Sequence, residues 1–135
     1  MSVIIYTDGG ARNNPGPAGA GAVLYEGEKK IGEIKKFLGN QTNNWAEYEA
    51  LILALTEAKR RGFGKKSIEI RMDSELIVKQ MTNEYQVKVE TLWGQYMKAH
   101  NLLVAHFPHC RFTHIPREKN TEADALVNKA IDESR

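Results

Sequence analysis

The first third of the chain alternates between short apolar runs and turn residues. Ser2–Tyr6 is a β-branched apolar run typical of a strand buried on both faces, and the segment Thr7–Gly10 predicts its end. Residues 11–19 hold two prolines and several small residues, which predicts a loop. Two alternating strands follow over Ala20–Tyr25 and Lys30–Leu38. Because the connections are short, these three strands are expected to form an antiparallel meander.

Helical periodicity takes over in the middle of the chain. Apolar residues recur every three or four positions from Trp45 to Ala58, which predicts an amphipathic helix. Asn43 or Asn44 can cap the start of this helix, and Gly62 can end it. The remaining predicted elements are a strand over Ser67–Met72, helices over Ser74–Met81 and Thr91–His106, a strand over Cys110–Ile115 and a last helix over Thr121–Ser134.

The predicted order of elements is βββαβααβα, which is typical of the α/β class. Strands separated by a helix need crossover connections and should run parallel to the first strand. The sequence therefore predicts a mixed five-stranded sheet, with three antiparallel and two parallel strands and helices on both faces. No internal repeat or linker divides the chain, so residues 1–135 are interpreted as a single domain.

Composition excludes several classes of protein. The chain has 135 residues, 41% of them hydrophobic, and a single cysteine, so neither a disulfide scaffold nor a zinc finger is expected. Its longest apolar run, Ala50–Leu55, is far below the roughly 18 residues of a membrane span. The N-terminus lacks a signal-peptide pattern, so we expect a cytoplasmic monomer with no membrane partner. The 19 basic and 17 acidic residues leave a net charge of +2, which favours a polyanionic partner only weakly.

Four acidic residues stand out because they lie where predicted elements end or begin. Asp8 closes the first strand and Asp73 the fourth, while Glu47 and Asp124 lie in the first turns of the long helix and the last helix. Parallel strands present their carboxyl ends at one edge of an open sheet, so Asp8 and Asp73 should converge there. Glu47 shares a helical face with apolar residues, which predicts that its carboxylate points toward the sheet.

A cluster of four carboxylates needs electrostatic compensation. Two carboxylates about 4 Å apart repel by roughly 4 kcal/mol at an effective dielectric constant near 20. Such a cluster implies raised pKa values or a bound cation, and hard divalent ions prefer ligands that are all oxygen. Each residue taken alone has an ordinary structural explanation, as a turn cap or as a partner of a helix dipole. Their joint convergence is what favours a metal site.

Four segments of the chain, in order, carry a family pattern. They are TDGGARNNPGPAGAG, TNNWAEYEAL, IRMDSELIVKQ and HIPREKNTEADALVN. Together they resemble type 1 ribonuclease H over essentially the whole chain. The resemblance implies a ribonuclease H-like fold and hydrolysis of the RNA strand of an RNA–DNA hybrid, giving 3′-hydroxyl and 5′-phosphate ends. It also implies two Mg²⁺ or Mn²⁺ ions per active site with substrate bound, with the catalytic and metal-binding carboxylates on Asp8, Glu47, Asp73 and Asp124.

The first two of these segments also hold the expected substrate contacts. Gly9 and Gly10 remove side-chain bulk where the backbone must approach a groove. Asparagine amides can hydrogen-bond sugar hydroxyls, and the 2′-hydroxyl distinguishes RNA from DNA. By resemblance, Thr42 and Arg12 contact phosphates, and Asn14, Asn43 and Asn44 contact the hybrid. An RNA–DNA hybrid is the expected partner, and duplex RNA is a second candidate.

The chain departs from the family pattern at two places. Many members carry a histidine in the loop before the last carboxylate, where this chain has Pro-Arg-Glu-Lys at positions 116–119. The nearest histidine, His114, is interpreted as a packed strand residue, which leaves Arg117 or Glu118 to replace the loop histidine. The basic protrusion of some members is also missing, since Ser74–Thr91 passes directly between two helices.

Two basic clusters are candidates for binding the hybrid in place of the missing protrusion. They are Lys29, Lys30, Lys35 and Lys36 in one cluster and Lys59, Arg60, Arg61, Lys65 and Lys66 in the other. A solvated surface is the ordinary alternative for both. Three aromatic residues at helical apolar spacing, Trp45, Trp93 and Tyr96, are interpreted as core.

Other functions fit parts of the sequence. The glycines at 9, 10, 16, 19 and 21 resemble a phosphate-cradling loop, but such loops open a helix and this one precedes a strand. Sugar kinases and actin-like ATPases need two domains, so the length disfavours them. A module that binds hybrid or duplex RNA without cleaving it would be expected to lack one of the catalytic carboxylates. All four are present in this sequence. A resolvase or another nuclease of the same fold is disfavoured by the asparagine-rich loop and the whole-chain match.

Overall fold

Strands and helices follow one another in the order that the sequence predicts. In the computed structural model, which describes residues 2–134, the strands are β1 (Ser2–Ala11), β2 (Gly16–Glu26), β3 (Lys29–Gln41), β4 (Ser67–Met72) and β5 (Cys110–His114). The helices are α1 (Asn43–Arg60), α2 (Glu75–Met81), α3 (Trp93–His106) and α4 (Thr121–Glu133). Short 3-10 turns lie at Glu90–Leu92 and Arg117–Lys119. Within residues 2–134, every helix is too short or too polar to span a bilayer.

The five strands form one mixed sheet in the order β3-β2-β1-β4-β5. β2 pairs antiparallel with both β1 and β3, whereas β4 runs parallel to β1 and β5 runs parallel to β4. This topology confirms the predicted three antiparallel and two parallel strands. The carboxyl ends of β1 and β4 therefore lie side by side, with Thr7 opposite Met72.

The larger core lies between the sheet and α1. The sheet contributes Val3, Ile5, Leu24, Ile68 and Ile70, and α1 contributes Tyr48, Leu51, Ala54 and Leu55, all of them fully buried. α3 packs against α1 and closes this side of the sheet through Ala99. Because this packing fixes α1 to the strands, the position of any side chain on its inner face is fixed as well.

β1 is longer than the hydrophobic pattern predicts. The sequence places its end in Thr7–Gly10, but the strand continues to Ala11. β2 begins at Gly16, so the loop predicted over residues 11–19 shrinks to residues 12–15. The added pairs join mainly glycine and alanine residues, which carry no hydrophobic signal in the sequence.

This correction changes the position of Asp8. Pairing of β1 with β4 stops at Thr7 and Met72, while pairing of β1 with β2 continues to Ala11. Asp8 therefore lies inside β1 and is the first residue beyond the parallel ladder. Asp73 follows the last residue of β4, as predicted, so the two carboxylates still lie at the same edge of the parallel pair.

The N-terminus of α1 is capped by a different residue from the two predicted. Thr42 has extended backbone geometry, and its Oγ1 accepts a hydrogen bond of 3.2 Å from the N–H of Trp45. The predicted cap at Asn43 or Asn44 is therefore wrong, because both residues are already helical. Glu47 consequently lies just past the first turn and not within it.

α4 packs on the opposite face of the sheet, over two glycines of β2. A Cβ added at Gly21 would lie 2.7 Å from the carbonyl oxygen of Ala123, and one at Gly19 would lie 2.8 Å from that of Val127. Only glycine leaves room for the backbone of the helix this close to the strand. The absence of two side chains thus determines how near α4 approaches the sheet.

The two basic clusters are largely engaged in ion pairs. Pairs across elements are Lys30–Glu122, Lys35–Glu133, Lys36–Glu49 and Lys66–Glu26, and pairs along the chain are Lys30–Glu33, Arg60–Glu57 and Arg61–Glu57. Because these cations already face carboxylates, they are less available to phosphates than the sequence indicates. The second cluster also begins about 18 Å along α1 from Glu47, at 1.5 Å per residue.

Trp93 does not belong to the core, contrary to the sequence prediction. Its side chain is 51% exposed, and its indole N–H donates a hydrogen bond of 2.7 Å to the carbonyl of Val87. Trp45 and Tyr96 are partly buried and pack against the core, as predicted. Helical spacing alone did not distinguish these cases, because Trp93 is the first residue of α3 and its indole lies against the preceding segment.

Substitution of Gly21 by alanine tests the close approach of α4. We expect Gly21→Ala to lower the free energy of unfolding by about 1–3 kcal/mol, because the new methyl group overlaps the helix backbone. The matched control is Gly94→Ala in α3, where nothing lies within 4 Å of the added Cβ. That change should raise the free energy of unfolding by about 0.4–1 kcal/mol. Urea unfolding monitored by circular dichroism measures both, and equal effects would contradict the packing argument.

Candidate active site

Three of the predicted carboxylates meet where β1, α1 and β4 approach one another. Asp8 comes from β1, Glu47 from α1, and Asp73 from the residue after β4. One carboxylate oxygen from each residue lies within 4.8 Å of those from the other two. Neighbouring parallel strands supply Asp8 and Asp73, and α1 lies against them. The fold thus brings together three residues that are distant in the sequence.

Glu47 is held by the backbone of β1. Its side chain is buried, with only 6% of the residue exposed, and its Oε1 accepts a hydrogen bond from the N–H of Gly9. Gly9 permits this approach, because a Cβ at that position would lie 2.2 Å from the carbonyl oxygen of Ala46. The predicted orientation of Glu47 toward the sheet is confirmed.

Burial and like charge both act against ionisation at this site. Burial, followed by the charge of Asp73, raises the pKa of Asp8 from 3.8 to about 7. Burial, followed by the charge of Asp8, raises the pKa of Glu47 well above its ordinary value, although the N–H of Gly9 acts in the opposite direction. A cation bound among these carboxylates would stabilise their ionised form and lower their pKa values.

In the part of the chain that the structure describes, no basic side chain forms an ion pair with these carboxylates. Among residues 2–134, the ion pairs of lysine and arginine side chains involve other carboxylates and none of the four candidates. The donors are all carboxylate oxygens, and two of the three clustered residues are buried. This donor set fits a hard divalent cation such as Mg²⁺ or Mn²⁺ and does not fit a soft metal that prefers sulfur.

Asp124 shares the cleft with the other three carboxylates but stands apart from them. It lies in the first turn of α4, as predicted, and is exposed. It falls outside the group whose oxygens lie within 4.8 Å of one another. It is still near enough to contribute to the raised pKa of Asp8. The structure therefore brings oxygens of three predicted carboxylates within 4.8 Å of one another, and the fourth, Asp124, lies outside this group but close to Asp8.

The four carboxylates line one open cleft of about 460 Å³. Five of the predicted substrate-binding residues line it as well: Gly9, Gly10, Arg12, Asn43 and Asn44. Asn14 and Thr42 are not part of its lining, although the Oδ1 of Asn14 accepts a hydrogen bond from the N–H of Asn43, and Thr42 precedes Asn43 in the chain. The cleft thus joins the acidic group to an amide-rich wall that also carries Arg12.

Hydrogen bonds fix the loop between β1 and β2 to the start of α1. The Oδ1 of Asn14 accepts from the N–H of Asn43 at 2.9 Å, and the Oδ1 of Asn43 accepts from the N–H of Ala11 at 2.7 Å. Both carbonyl oxygens are therefore engaged within the protein, and each NH₂ group remains as the polar end that can donate. Asn43 and Asn44 thus form an amide-rich wall of the cleft, and Asn14 supports this wall from behind through Asn43.

The structure separates His114 from the cleft and places Arg117 in its lining. His114 ends β5 opposite Met72 and is exposed, so its predicted packing in the strand is wrong. It does not line the cleft, whereas Arg117 from the 3-10 turn before α4 does. Of the two residues that the sequence offered in place of a loop histidine, Arg117 is the one that reaches the cleft.

Sequence reasoning missed two polar residues of the cleft, Ser74 and Asn128. The Oγ of Ser74 caps α2 by accepting the N–H of Ile77 at 3.3 Å, which fixes the turn after Asp73. Asn128 lies one helical turn after Asp124 and donates to its backbone oxygen and its Oδ2. Its i+4 spacing from a candidate carboxylate was a signal available in the sequence.

Comparison with known proteins identifies the family of this chain. A family described as reverse transcriptase-like matches residues 6–130 of the chain. Ribonuclease HI of Halobacterium salinarum is 43% identical over 130 residues, which is 96% of this chain. The crystal structure of LC11-RNase H1 in complex with RNA/DNA hybrid is similar with a TM-score of 0.94 and 48% identity, covering 98% of both chains. This chain belongs to the ribonuclease H family.

Some ribonuclease H relatives of the chain are longer than the chain itself. The chain is 40% identical over 134 residues to Bifunctional protein Rv2228c of Mycobacterium tuberculosis, which is 98% of the chain but 36% of that protein. It spans 64% of the Halobacterium ribonuclease HI. The ribonuclease H fold, with its mixed five-stranded sheet, is thus common to proteins of different overall length.

Removal of one clustered charge should stabilise this ribonuclease H fold when no metal is bound. We expect Asp8→Asn to raise the free energy of unfolding by about 1–3 kcal/mol at pH 8 in EDTA, because Asp8 is ionised there at an electrostatic cost. Differential scanning calorimetry measures the change in Tm. The matched control is Glu28→Gln, at an exposed carboxylate in the turn between β2 and β3, which should leave Tm unchanged. A lower Tm for Asp8→Asn would contradict the repulsion argument.

Proposed function

We propose that this protein hydrolyses the RNA strand of RNA–DNA hybrids with two divalent metal ions and leaves 3′-hydroxyl and 5′-phosphate ends. The observation that carries the proposal is the acidic group of Asp8, Glu47 and Asp73, which lies in a cleft beside an asparagine-rich wall. A similar protein, LC11-RNase H1, was crystallised with an RNA/DNA hybrid, which supports the choice of substrate.

Each of the four carboxylates is proposed to bind one or both of the metal ions. Asp8 and Asp73 come from neighbouring strands and would contribute to both ions, with Glu47 and Asp124 completing one ion each. Bound Mg²⁺ or Mn²⁺ supplies Lewis-acid activation of a water molecule and stabilises the leaving 3′ oxygen. Glu47 is fixed by Gly9, so it offers its remaining oxygen in one orientation. Asp124 is exposed and is the more adjustable of the four.

Discrimination of the RNA strand is proposed to come from the asparagine wall. The NH₂ groups of Asn14, Asn43 and Asn44 can donate to 2′-hydroxyl oxygens, which only RNA carries. Thr42 accepts the N–H of Trp45, so its hydroxyl proton is free to donate to a phosphate of the DNA strand. A single hydroxyl thus both caps α1 and contacts the substrate.

Arg117 is proposed to stabilise charge at the scissile phosphate. It lines the cleft with the carboxylates, and its guanidinium offers several donors in one plane. A cation at this place can bind a phosphate oxygen as negative charge develops. It would act where other family members use a loop histidine, although a guanidinium stays protonated and provides charge in place of proton transfer.

A strand-labelled hybrid tests the reaction. With Mg²⁺ or Mn²⁺ we expect cleavage of the RNA strand alone, and Asp73→Asn should lower the rate by about a thousandfold or more, because it removes a shared metal ligand. Denaturing gels of hybrid labelled on either strand report the products, with duplex DNA and duplex RNA as specificity controls. Binding of the hybrid without cleavage would instead favour a binding module. Cleavage of the DNA strand would favour another nuclease of the same fold.

Two neighbouring variants test the role of Arg117. We expect Arg117→Ala to lower kcat by about 10- to 100-fold, because a donor to the scissile phosphate is lost. His114→Ala is the matched control and should change kcat less than threefold, since His114 is exposed and does not line the cleft. Steady-state kinetics at saturating Mg²⁺ separates kcat from KM. A hundredfold loss in His114→Ala with an intact circular dichroism spectrum would overturn this assignment.

A further inference from the structure

Asp124 is held by one side chain of its own helix. The Nδ2 of Asn128 donates to the backbone oxygen of Asp124 at 3.1 Å and reaches its Oδ2 at 3.4 Å. The carboxylate of Asp124 lies outside the compact group formed by the other three acidic residues. Asp124 is exposed, so packing restricts its carboxylate little, and within residues 2–134 Asn128 is the side chain outside the acidic group that donates a hydrogen bond to it.

The amide of Asn128 is itself oriented by a residue from the other side of the cleft. The Nη2 of Arg12 donates to the Oδ1 of Asn128 at 3.3 Å and contacts its backbone oxygen at 3.4 Å. A guanidinium can only donate, so it binds the oxygen of the amide and turns the NH₂ group toward Asp124. The polarity of each partner thus selects one of the two amide orientations.

Arg12 is anchored by an ion pair to the same helix. Its Nη1 lies 2.6 Å from the Oδ1 of Asp132, one turn beyond Asn128. Arg12 follows the last residue of β1, so it connects the loop beside the asparagine wall to α4. Asp132, Arg12, Asn128 and Asp124 form a continuous chain of polar contacts along the rim of the cleft, hereafter the rim chain.

We propose that Asn128 is a positioning residue that orients Asp124 toward the metal ions, and that Arg12 sets the amide of Asn128. This inference rests on the proposed function, since it concerns the same metal site. Asn128 is uncharged and separates the guanidinium of Arg12 from the carboxylate of Asp124. If Arg12 paired directly with Asp124, its positive charge would oppose a cation bound there.

Asn128 carries no charge, which suits a residue that lies between the guanidinium of Arg12 and the carboxylate of Asp124. An arginine or lysine would bring a full positive charge to Asp124 and compete with the metal. An aspartate would turn an acceptor toward another acceptor and add to the negative charge of the cleft. An alanine leaves Arg12 without its central acceptor and Asp124 without its donor. Unlike each of these residues, the amide of asparagine satisfies both neighbours at once.

Metal binding without nucleic acid tests the rim chain. Isothermal titration calorimetry with Mn²⁺ alone should show that Asn128→Ala raises the Kd by about threefold to tenfold, the loss expected for one ordinary hydrogen bond. Arg12→Ala should shift the Kd in the same direction. Lys129→Ala, at the next exposed residue of α4, is the matched control and should bind Mn²⁺ like the unaltered protein.

A double variant separates positioning from a general structural effect. In the Asp124→Asn background, Asn128→Ala should cause no further loss of Mn²⁺ affinity, because its effect passes through the carboxylate. Full additivity of the two losses, or an unchanged Kd in Asn128→Ala, would overturn the proposal. An unchanged Kd in Arg12→Ala would overturn the part assigned to Arg12. Because these measurements use metal alone, they are independent of whether the protein cleaves RNA–DNA hybrids.

Discussion

Repulsion among three clustered carboxylates, two of them buried, is the constraint on which the site depends. Asp8, Glu47 and Asp73 place oxygens within 4.8 Å of one another, and two such charges about 4 Å apart repel by roughly 4 kcal/mol at an effective dielectric constant near 20. Each carboxylate stems from a different part of the fold, and the buried Glu47 is carried toward the other two by α1. The fully buried contacts of Leu51 and Leu55 hold α1 against the sheet. The hydrophobic core therefore maintains an arrangement of charges that would otherwise separate.

Small residues in the sheet determine how closely the helices can bring their side chains to it. Gly9 lets α1 approach β1 until the backbone N–H binds Glu47, and Gly21 lets the first turn of α4 approach β2. The two helices lie on opposite faces of the sheet and reach the same edge. Larger side chains at these positions would push Glu47 and Asp124 away from Asp8. The glycines thus matter through the space that they leave free.

Ion pairs distribute the charge of this protein unevenly. Lysines of β3 pair with Glu122 and Glu133 of α4 and with Glu49 of α1, so much of the basic surface links helices to the edge of the sheet. The four carboxylates of the cleft have no such partners among residues 2–134. The total charge, with 19 basic and 17 acidic residues, is nearly balanced, but the cleft is locally acidic and much of the remaining surface carries paired charges.

The sequence by itself determined the order and type of every strand and α-helix, the limits of β4, and the four acidic positions, because hydrophobic periodicity and turn residues are local properties. It did not determine where β1 ends, since the ladder of glycine and alanine is stabilised by helices that pack over it. It also misplaced the cap of α1, the exposure of Trp93 and His114, and the partners of the lysines. Each of these depends on which surface another element covers. Only the tertiary structure decided that Asp124 stands apart, held by Asn128, because that separation is set by how α4 lies on β2.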